Sequence, residues 1–282
     1  MPTDTQLAPP GETQVILADS SALEVMERAQ IDVQIATAKK YPRDLDKILP
    51  RIMGDATRNE DVARSCGYTL PWYKDEQGRP VAGPNVRLAE IFAARWQNLR
   101  IGPGQFIGDD GRFVTVRVVV ADNETNTVVC AEVRRPVFKK NGQRYDDNGV
   151  GKAIAAAASI AKRNAIFQII PRAFIGEVYE ATKRVAMGDA KTLVTRRAAV
   201  IEAFVKSGIT KEKIFAVLKV SGIEGIGLEE LDTLNGYRNA IKDGAATKDE
   251  IFNAPEPTPE TPPKVAGKEV TPTPGAFGLK ND

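Results

Sequence analysis

Residues 112–136 read RFVTVRVVVADNETNTVVCAEVRRP. Two runs rich in Val and Thr flank the turn-forming residues from Asp122 to Asn126. Branched side chains favour extended backbone, whereas Asp and Asn favour tight turns. The stretch therefore predicts a β-hairpin or the middle of a β-meander. A second tight turn is expected at Asn141-Gly142, because this dipeptide tolerates positive φ angles.

A long helix is predicted directly after these strands, from about Asp147 to Ile170, with Pro171 ending it. Its first part, NGVGKAIAAAASIAKRNAIF at 148–167, is similar to an ATPase phosphate loop. That loop needs a first glycine and a Ser or Thr that holds magnesium, and here those positions carry Asp146 and Ala153. We therefore expect no nucleotide hydrolysis, and Lys152 needs another explanation.

The helix has two different faces when it is drawn at ~100° per residue. One face gathers Lys152, Ala155, Ala156, Ser159, Lys162 and Arg163, and the opposite face gathers Val150, Ile154, Ala157, Ala161 and Ala165. The first face is cationic and thin, so a sugar-phosphate backbone could lie close against it. The alternative is a solvated helix whose alanines pack against neighbouring helices.

Positive charge is concentrated in this part of the chain. Residues 132–184 contain eleven Lys or Arg and five Asp or Glu, whereas the whole chain has a net charge of +2. Cations of this kind bind phosphates, and interleaved aromatic rings can stack on bases. The candidate DNA ligands are Arg134, Arg135, Lys139, Lys140, Arg144, Lys152, Lys162, Arg163 and Arg172. The candidate stacking rings are Phe138, Tyr145 and Phe174, each of which could instead belong to the core.

The chain contains no histidine and two cysteines, so it lacks the commonest general base and the commonest metal ligand. We expect no catalytic residue and no metal site. One enzyme alternative remains, a metal-dependent nuclease built on Asp122 and the run Glu132-Val133-Arg134. It is disfavoured because such sites use a lysine where this chain has an arginine, and arginine does not readily give up a proton.

The fold class predicted from these patterns is α+β, with helices before the strands and a small all-helical domain after them. The predicted divisions are a disordered leader at 1–18, an α+β core at 19–190, a helical domain at 191–253 and a Pro-rich disordered tail at 254–282. No apolar run reaches the ~20 residues that a membrane helix needs, and no export signal is visible, so a cytoplasmic protein is expected. Residues 65–84 carry frequent Gly and Pro and are expected to form loops with at most one short strand.

The glycines between Gly222 and Gly227 allow two interpretations. Such glycines can offer backbone amides to DNA phosphate in a helix-hairpin-helix module. A plain interhelical turn is favoured here, because Glu224, Glu229 and Glu230 would repel a phosphate.

Three segments carry a resemblance to a known family: GPNVRLAEIFAARWQNL, AEVRRPVFKKNGQRYDD and GVGKAIAAAASIAKRNAIFQIIPRAFIGEVYEATKR. Over about residues 20–190 the chain resembles the phage single-strand annealing proteins, the RecT-like and Redβ-like recombinases. The resemblance implies a β-β-β-α core that binds single-stranded DNA and anneals complementary strands without ATP.

The resemblance also implies a homo-oligomeric ring or filament in the cytoplasm of a bacterial host. It implies no cofactor, with Mg²⁺ only assisting annealing, and contact with annealed duplex. The host single-strand-binding protein is a further expected partner, recognised through the C-terminal region. The competing interpretations are the nuclease and an oligomeric phage structural protein that does not bind nucleic acid.

Overall fold

The computed structural model describes residues 12–76, 78–139, 142–188 and 192–253, with side chains from residue 22 onward. Within these ranges the fold is α+β, as predicted, with ten α-helices and two antiparallel sheets. The predicted tail at 254–282, Lys140 and residues 1–11 lie outside the described residues. The predicted leader extended to residue 18, whereas the first helix already begins at Glu12.

Three helices open the chain: α1 (Glu12–Lys40), α2 (Leu45–Ala56) and α3 (Glu60–Ser65). Ile48, Ile52 and Ala56 are four residues apart, so they share one face of α2, and all three are buried. A new helix starts at α3, because the Asn59 side chain caps it by accepting the amide hydrogen of Val62 at 2.9 Å.

A β-hairpin follows where loops with at most one short strand were predicted: β1 (Gly67–Lys74) pairs antiparallel with β2 (Pro80–Pro84). The second strand was missed because the prolines occupy positions that tolerate them. Pro71 lies where the pairing register shifts, between Leu70 and Lys74, and a two-stranded sheet has only edge strands. Helix α4 (Val86–Trp96) comes next, and the Asn85 side chain caps it.

The main sheet has four strands: β3 (Leu99–Ile101), β4 (Gln105–Asp109), β5 (Phe113–Asp122) and β6 (Thr127–Pro136). The predicted hairpin is confirmed, because β5 and β6 pair in unbroken register from Phe113 opposite Pro136 to Asp122 opposite Thr127. On its other side β5 pairs with both β3 and β4. The sheet is therefore a meander whose first strand is interrupted at residues 102–104.

The predicted long helix is confirmed as α5 (Asp147–Ile169), and α6 (Arg172–Met187) follows it. One face of β5 packs towards α5 and buries Val114, Val116, Val118 and Val120. Because β3 and β4 form one interrupted edge strand, the order along the chain is three strands followed by a helix. The first hydrophobic core joins this layer to α2, α4 and α6.

The C-terminal part is helical, as predicted: α7 (Leu193–Lys206), α8 (Lys211–Leu218), a 3₁₀ turn (Ile223–Gly225), α9 (Leu228–Lys242) and α10 (Lys248–Phe252). These helices enclose a second core that includes Phe204, Leu234 and Tyr237. Tyr68 and Leu70 of β1 also pack against this core. The β1–β2 hairpin therefore lies between the two cores and contacts both parts of the chain.

In the described ranges no single helix is long and apolar enough to cross a membrane. Helices α5 and α6 pass that test only as a pair, and the chain bends by 119° between them.

Candidate nucleic-acid interface

The N-terminus of α5 is already occupied by a side chain of the protein. The Asp146 carboxylate accepts the amide hydrogen of Gly149 at 2.8 Å and so caps the helix. This position is the one at which a phosphate loop has its first glycine. A carboxylate that holds the helix terminus leaves the site negative, so this turn does not cradle a nucleotide phosphate.

The small-residue face of α5 is only partly open. Ala157, Ala161 and Ala165 are buried, as predicted, but Ala156, which was placed on the exposed face, is buried too. The cause is Gly244, which follows α9 and lies so close that an added Cβ would be 2.4 Å from the Ala156 Cβ. The C-terminal helices therefore cover part of the predicted binding face.

A cleft of about 220 Å³ remains open between α4, α5 and the interruption of the sheet edge. We call it the α4–α5 cleft. Its walls are made by small residues, Gly102, Gly104, Ala158 and Ser159, and its charged lining residues are Arg87, Glu90 and Lys162. Gly104 lies close to α5, because an added Cβ would be 3.0 Å from that of Ala158. Larger side chains at these positions would fill the cleft.

Two cations in the α4–α5 cleft share one acid. The Lys162 Nζ lies 3.0 Å from Glu90 Oε1, and an Arg87 guanidinium nitrogen lies 3.0 Å from Glu90 Oε2. Burial raises the pKa of Glu90, but the hydrogen bonds from Lys162 and Arg87 outweigh it, and the net shift is downward. Glu90 is therefore ionised at neutral pH, and the cluster keeps one net positive charge.

Two further predicted ligands lie where α5 and β6 meet the C-terminal helices. The Arg163 guanidinium is 5.0 Å from the centre of the Tyr68 ring and donates to Asn164 Oδ1 at 2.9 Å. Arg135 donates to the carbonyl oxygens of Gly244 and Ala245. Both guanidinium groups are half-buried, so they join parts of the protein together as well as carrying charge.

The predicted cations around the second turn are paired with acids and amides of the same region. Arg144 pairs with Asp109, and Arg134 pairs with Asp110 at 2.6 Å. The Lys139 Nζ lies 3.4 Å from Gln143 Oε1, and Gln143 follows the turn. The excess charge counted along the sequence is therefore reduced by two aspartates that lie before β5.

Lys152 and Arg172 are exposed and have no hydrogen-bond or ion-pair partner among the described residues. Lys152 lies near the start of α5, from which Ile169 at its end is ~25 Å away at ~1.5 Å of rise per residue, and Arg172 begins α6 beyond that end. Arg172 lines a separate cleft of about 810 Å³ at the bend between α5 and α6. The predicted cations thus lie in different surroundings within one chain.

The three candidate stacking rings differ in their surroundings. The Phe174 ring lies 6.1 Å from the Trp96 ring and packs against the first core, which is the alternative that the sequence left open. Tyr145 packs on the first turn of α5, against Gly149. Phe138 is 36% exposed and follows the end of β6. It is the most accessible of the three rings.

Comparisons were made with protein-family models, with curated proteins and with solved structures. None of them finds a match to this chain.

The predicted nuclease pair does not come together. Asp122 lies opposite Thr127 in the sheet and Glu132 lies opposite Arg117, five positions away along β5. An offset of five residues is about 16 Å and puts the two carboxylates on opposite faces of the sheet. Asp122 binds Arg43, and Glu132 binds Arg117 at 2.7 Å. Among the described residues no three Asp, Glu or Cys side chains form a group that could hold a metal.

The turn at Gly222–Gly227 uses its own backbone amides, as a plain interhelical turn does. The amides of Gly225 and Ile226 donate to carbonyls within the turn, and the amide of Gly227 donates to the Glu230 carboxylate at 2.8 Å. Arg197 binds Glu224 from α7. These amides are not free to bind a phosphate.

Sequence reasoning missed Arg87 and Glu90 as members of the site, because the search for cations covered residues 132–184 and did not include α4. The run Gly102-Pro103-Gly104 was a usable signal. Two glycines beside a proline interrupt a strand, and a glycine also permits close approach of another element. Nothing local to the chain could have shown that this interruption lies against α5.

Proposed function

We propose that this protein binds single-stranded DNA through its phosphates and anneals complementary strands without ATP. The α4–α5 cleft is the observation that carries the proposal. It combines a predicted ligand, Lys162, with a second cation, Arg87, and a wall of small residues. A cluster with two cations and one carboxylate attracts a phosphate, and the small side chains let a backbone approach closely.

The chemistry of the cleft fits recognition without sequence preference. No aromatic ring lines it, so it does not stack bases, and its two cations can hold the phosphates of a strand of any sequence. A strand held by its phosphates keeps its bases free. Free bases can be tested against a second strand, and annealing requires this.

The capped start of α5 supports the proposed independence from ATP. Asp146 occupies the amide position that a nucleotide phosphate would need. The order of three strands and a helix, together with the resemblance to the RecT-like and Redβ-like proteins, adds support for annealing over other uses of a basic surface. Mg²⁺ would assist by screening repulsion between two strands.

Self-association is part of the proposal. On α1 the apolar side chains of Leu23, Met26 and Val33 are 62%, 60% and 65% exposed. A long helix that packs so little against the described part of its own chain is marginally stable, so a second copy would both cover these side chains and stabilise α1. Neighbouring copies would also extend the separate basic surfaces into a longer track. The same exposed helix favours the alternative of a structural scaffold, which would oligomerise but not bind DNA.

The remaining partners are proposed from the resemblance. Residues 254–282 would recognise the host single-strand-binding protein in the bacterial cytoplasm, and the annealed duplex would be the product. A chain that ends after Phe252 is expected to anneal bare oligonucleotides normally, because the α4–α5 cleft and both cores are retained. Loss of annealing on bare strands would place the tail in the annealing machinery itself.

A gel with labelled complementary oligonucleotides tests the proposal directly. The protein is incubated with the strands at low salt, with and without Mg²⁺, and without ATP. Duplex formation faster than the spontaneous reaction supports annealing. Shortened strands in the Mg²⁺ lanes would indicate a nuclease, and the absence of any shift would indicate a scaffold.

A further inference from the structure

A second basic cleft is lined by residues that belong neither to the predicted ligands nor to the α4–α5 cleft. It has a volume of about 310 Å³ and is enclosed by α3, α7 and α9. We call it the α7–α9 cleft. Four cations line it, Arg64, Arg196, Arg238 and Lys242, and its only acidic lining residue is Asp61.

Two of the four cations help to build the cleft. Arg64 and Arg196 both donate to the carbonyl oxygen of Ala186, and Arg196 also donates to that of Met187, at the end of α6. Carbonyl groups at a helix C-terminus carry partial negative charge, so guanidinium groups stabilise this end. Arg64 also forms ion pairs with Glu60 and, at 3.0 Å, with Asp61. Both acids are thereby engaged by Arg64, which leaves the charges of Arg238 and Lys242 unbalanced.

The other two cations have no such role. Arg238 and Lys242 are four residues apart on α9, so they lie on the same face of the helix and both line the cleft. Both are exposed, and neither has a hydrogen-bond or ion-pair partner among the described residues. Next to Arg238, the buried Asn239 donates from its amide to the carbonyl oxygens of Arg64 and Gly67, at 2.6 Å and 2.8 Å. This fixes α9 against α3, so the backbone positions of Arg238 and Lys242 beside the cleft are held in place.

The convergence of these charges is unfavourable in the free protein. Burial lowers the pKa of the Arg64 guanidinium, and the nearby charges of Arg196 and Arg238 lower it further. An ordinary solvated helix face would let long cationic side chains diverge into water, where their repulsion is screened. Here all four cations line one cleft, and an anion bound there would reduce the repulsion.

We propose that the α7–α9 cleft binds a phosphate group, with Arg238 and Lys242 as its ligands and Arg64 and Arg196 supplying further positive charge. The cleft is about the size of a small ligand site. No aromatic ring lines it, so it would hold a phosphate without stacking a base.

A nucleic-acid backbone is one source of that phosphate, and this source rests on the proposed function. Beyond Lys242, the Asp243 carboxylate accepts a hydrogen bond from Asn85 at 3.2 Å, and Asn85 caps the helix that carries Arg87. The end of α9 therefore lies between the two basic clefts, and one strand could contact both. A free phosphate compound is the other source.

The test compares the full chain with the double variant Arg238→Gln, Lys242→Gln. The matched control is Lys211→Gln, Lys213→Gln, which removes the same charge from exposed positions on α8. Pyrophosphate binding is measured by calorimetry at constant ionic strength, and oligonucleotide binding is measured as a function of salt. Thermal unfolding confirms that each variant is folded.

The expected result is a loss of pyrophosphate affinity of about tenfold or more in the cleft variant, because two charge-assisted contacts are removed. The slope of log affinity against log salt for a single strand should also fall by about 0.7, because the site holds one phosphate of the strand. The control should resemble the original chain in both assays.

Loss of pyrophosphate binding with an unchanged oligonucleotide slope would support the site and identify a free phosphate compound as its ligand. Pyrophosphate binding and a salt slope that both match the control would overturn the proposal. The pyrophosphate assay does not depend on annealing, so the phosphate site can be judged even if the proposed function fails.

Discussion

Asp122 is the residue whose surroundings differ most from its sequence context. It stands at the start of a polar turn, yet it is 2% exposed and receives two hydrogen bonds of 2.7 Å from Arg43. The Arg43 guanidinium also lies 4.9 Å from the centre of the Trp96 ring. This ion pair ties the segment after α1 to the end of β5, so its role is structural.

Replacement of Arg43 by Gln is expected to lower the free energy of unfolding by about 3–5 kcal/mol, because it leaves a buried carboxylate without its partner. The exposed pair of Arg95 and Asp55 provides the control. Arg95→Gln should cost less than about 1 kcal/mol, as exposed ion pairs do. Urea denaturation measures the free energy of unfolding of both variants. An equal loss in the two would contradict the structural role of Arg43.

The same pair predicts a pH dependence. Burial raises the pKa of Asp122, but the hydrogen bonds from Arg43 and from the backbone outweigh it, and the net shift is downward. A lowered carboxyl pKa stabilises the folded protein above the unfolded value of about 4, and the contribution is lost as the pH falls through the folded value. The stability difference between the original chain and Asp122→Asn should therefore be constant above about pH 5 and shrink below about pH 4. A difference that does not change with pH would contradict this.

At the α4–α5 cleft, the double variant Arg87→Gln, Lys162→Gln tests the proposed interface. It should weaken the binding of single strands of any sequence and lower the salt slope by about 1.4, since two phosphate contacts are lost. The α8 double variant is again the control for charge. A folded variant with an unchanged slope would exclude these two residues as phosphate ligands.

Among the elements, the contact between α9 and β1 is the closest in the described chain that depends on a glycine. An added Cβ at Gly236 would lie 2.0 Å from the Thr69 hydroxyl oxygen and 3.0 Å from its backbone nitrogen. Thr69 is 5% exposed and belongs to β1. The β1–β2 hairpin is thus the surface on which the C-terminal helices pack.

Gly236→Ala is expected to destabilise the protein by about 1–3 kcal/mol or more, because the new methyl group must displace β1. Gly54→Ala provides the matched control, since Gly54 also lies in a helix and an added Cβ there meets nothing within 4 Å. That substitution should be neutral or stabilise by up to about 1 kcal/mol. Thermal unfolding distinguishes the two, and a stable Gly236→Ala would show that the helix and the strand can separate.

The whole molecule has two hydrophobic cores that meet at the β1–β2 hairpin, and a helix, α1, that lies largely outside both. Among the side chains described on α1, Ala38 is the buried one, near its end. A long helix with so little packing is the feature that most strongly suggests association with other copies.

The triple variant Leu23→Ser, Met26→Ser, Val33→Ser tests that association. These side chains are exposed in the single chain, so the two cores should stay folded, while an oligomer held by α1 should dissociate. Light scattering at one protein concentration should report a lower mass than for the original chain. An equal mass, with unfolding unchanged, would remove α1 from the proposed interface.

Local information was enough for much of the secondary structure. Alternation of Val and Thr predicted β5 and β6, and the run of small residues between Asp146 and Pro171 predicted α5 with its limits. Charge counting also located the part of the chain with the most cations. These features depend on neighbouring residues alone, because helix and strand periodicity and capping act over a few positions.

The partner of each cation was decided only by the tertiary structure. Lys162 meets Glu90 from 72 positions away, and Arg135 meets Gly244 from 109 positions away. The burial of Ala156 and the formation of the β1–β2 hairpin could not be predicted from the sequence for the same reason. Both depend on how distant elements pack. A sequence states which residues carry charge. Whether a charge is free to bind a phosphate depends on which distant acid, ring or carbonyl the fold brings beside it.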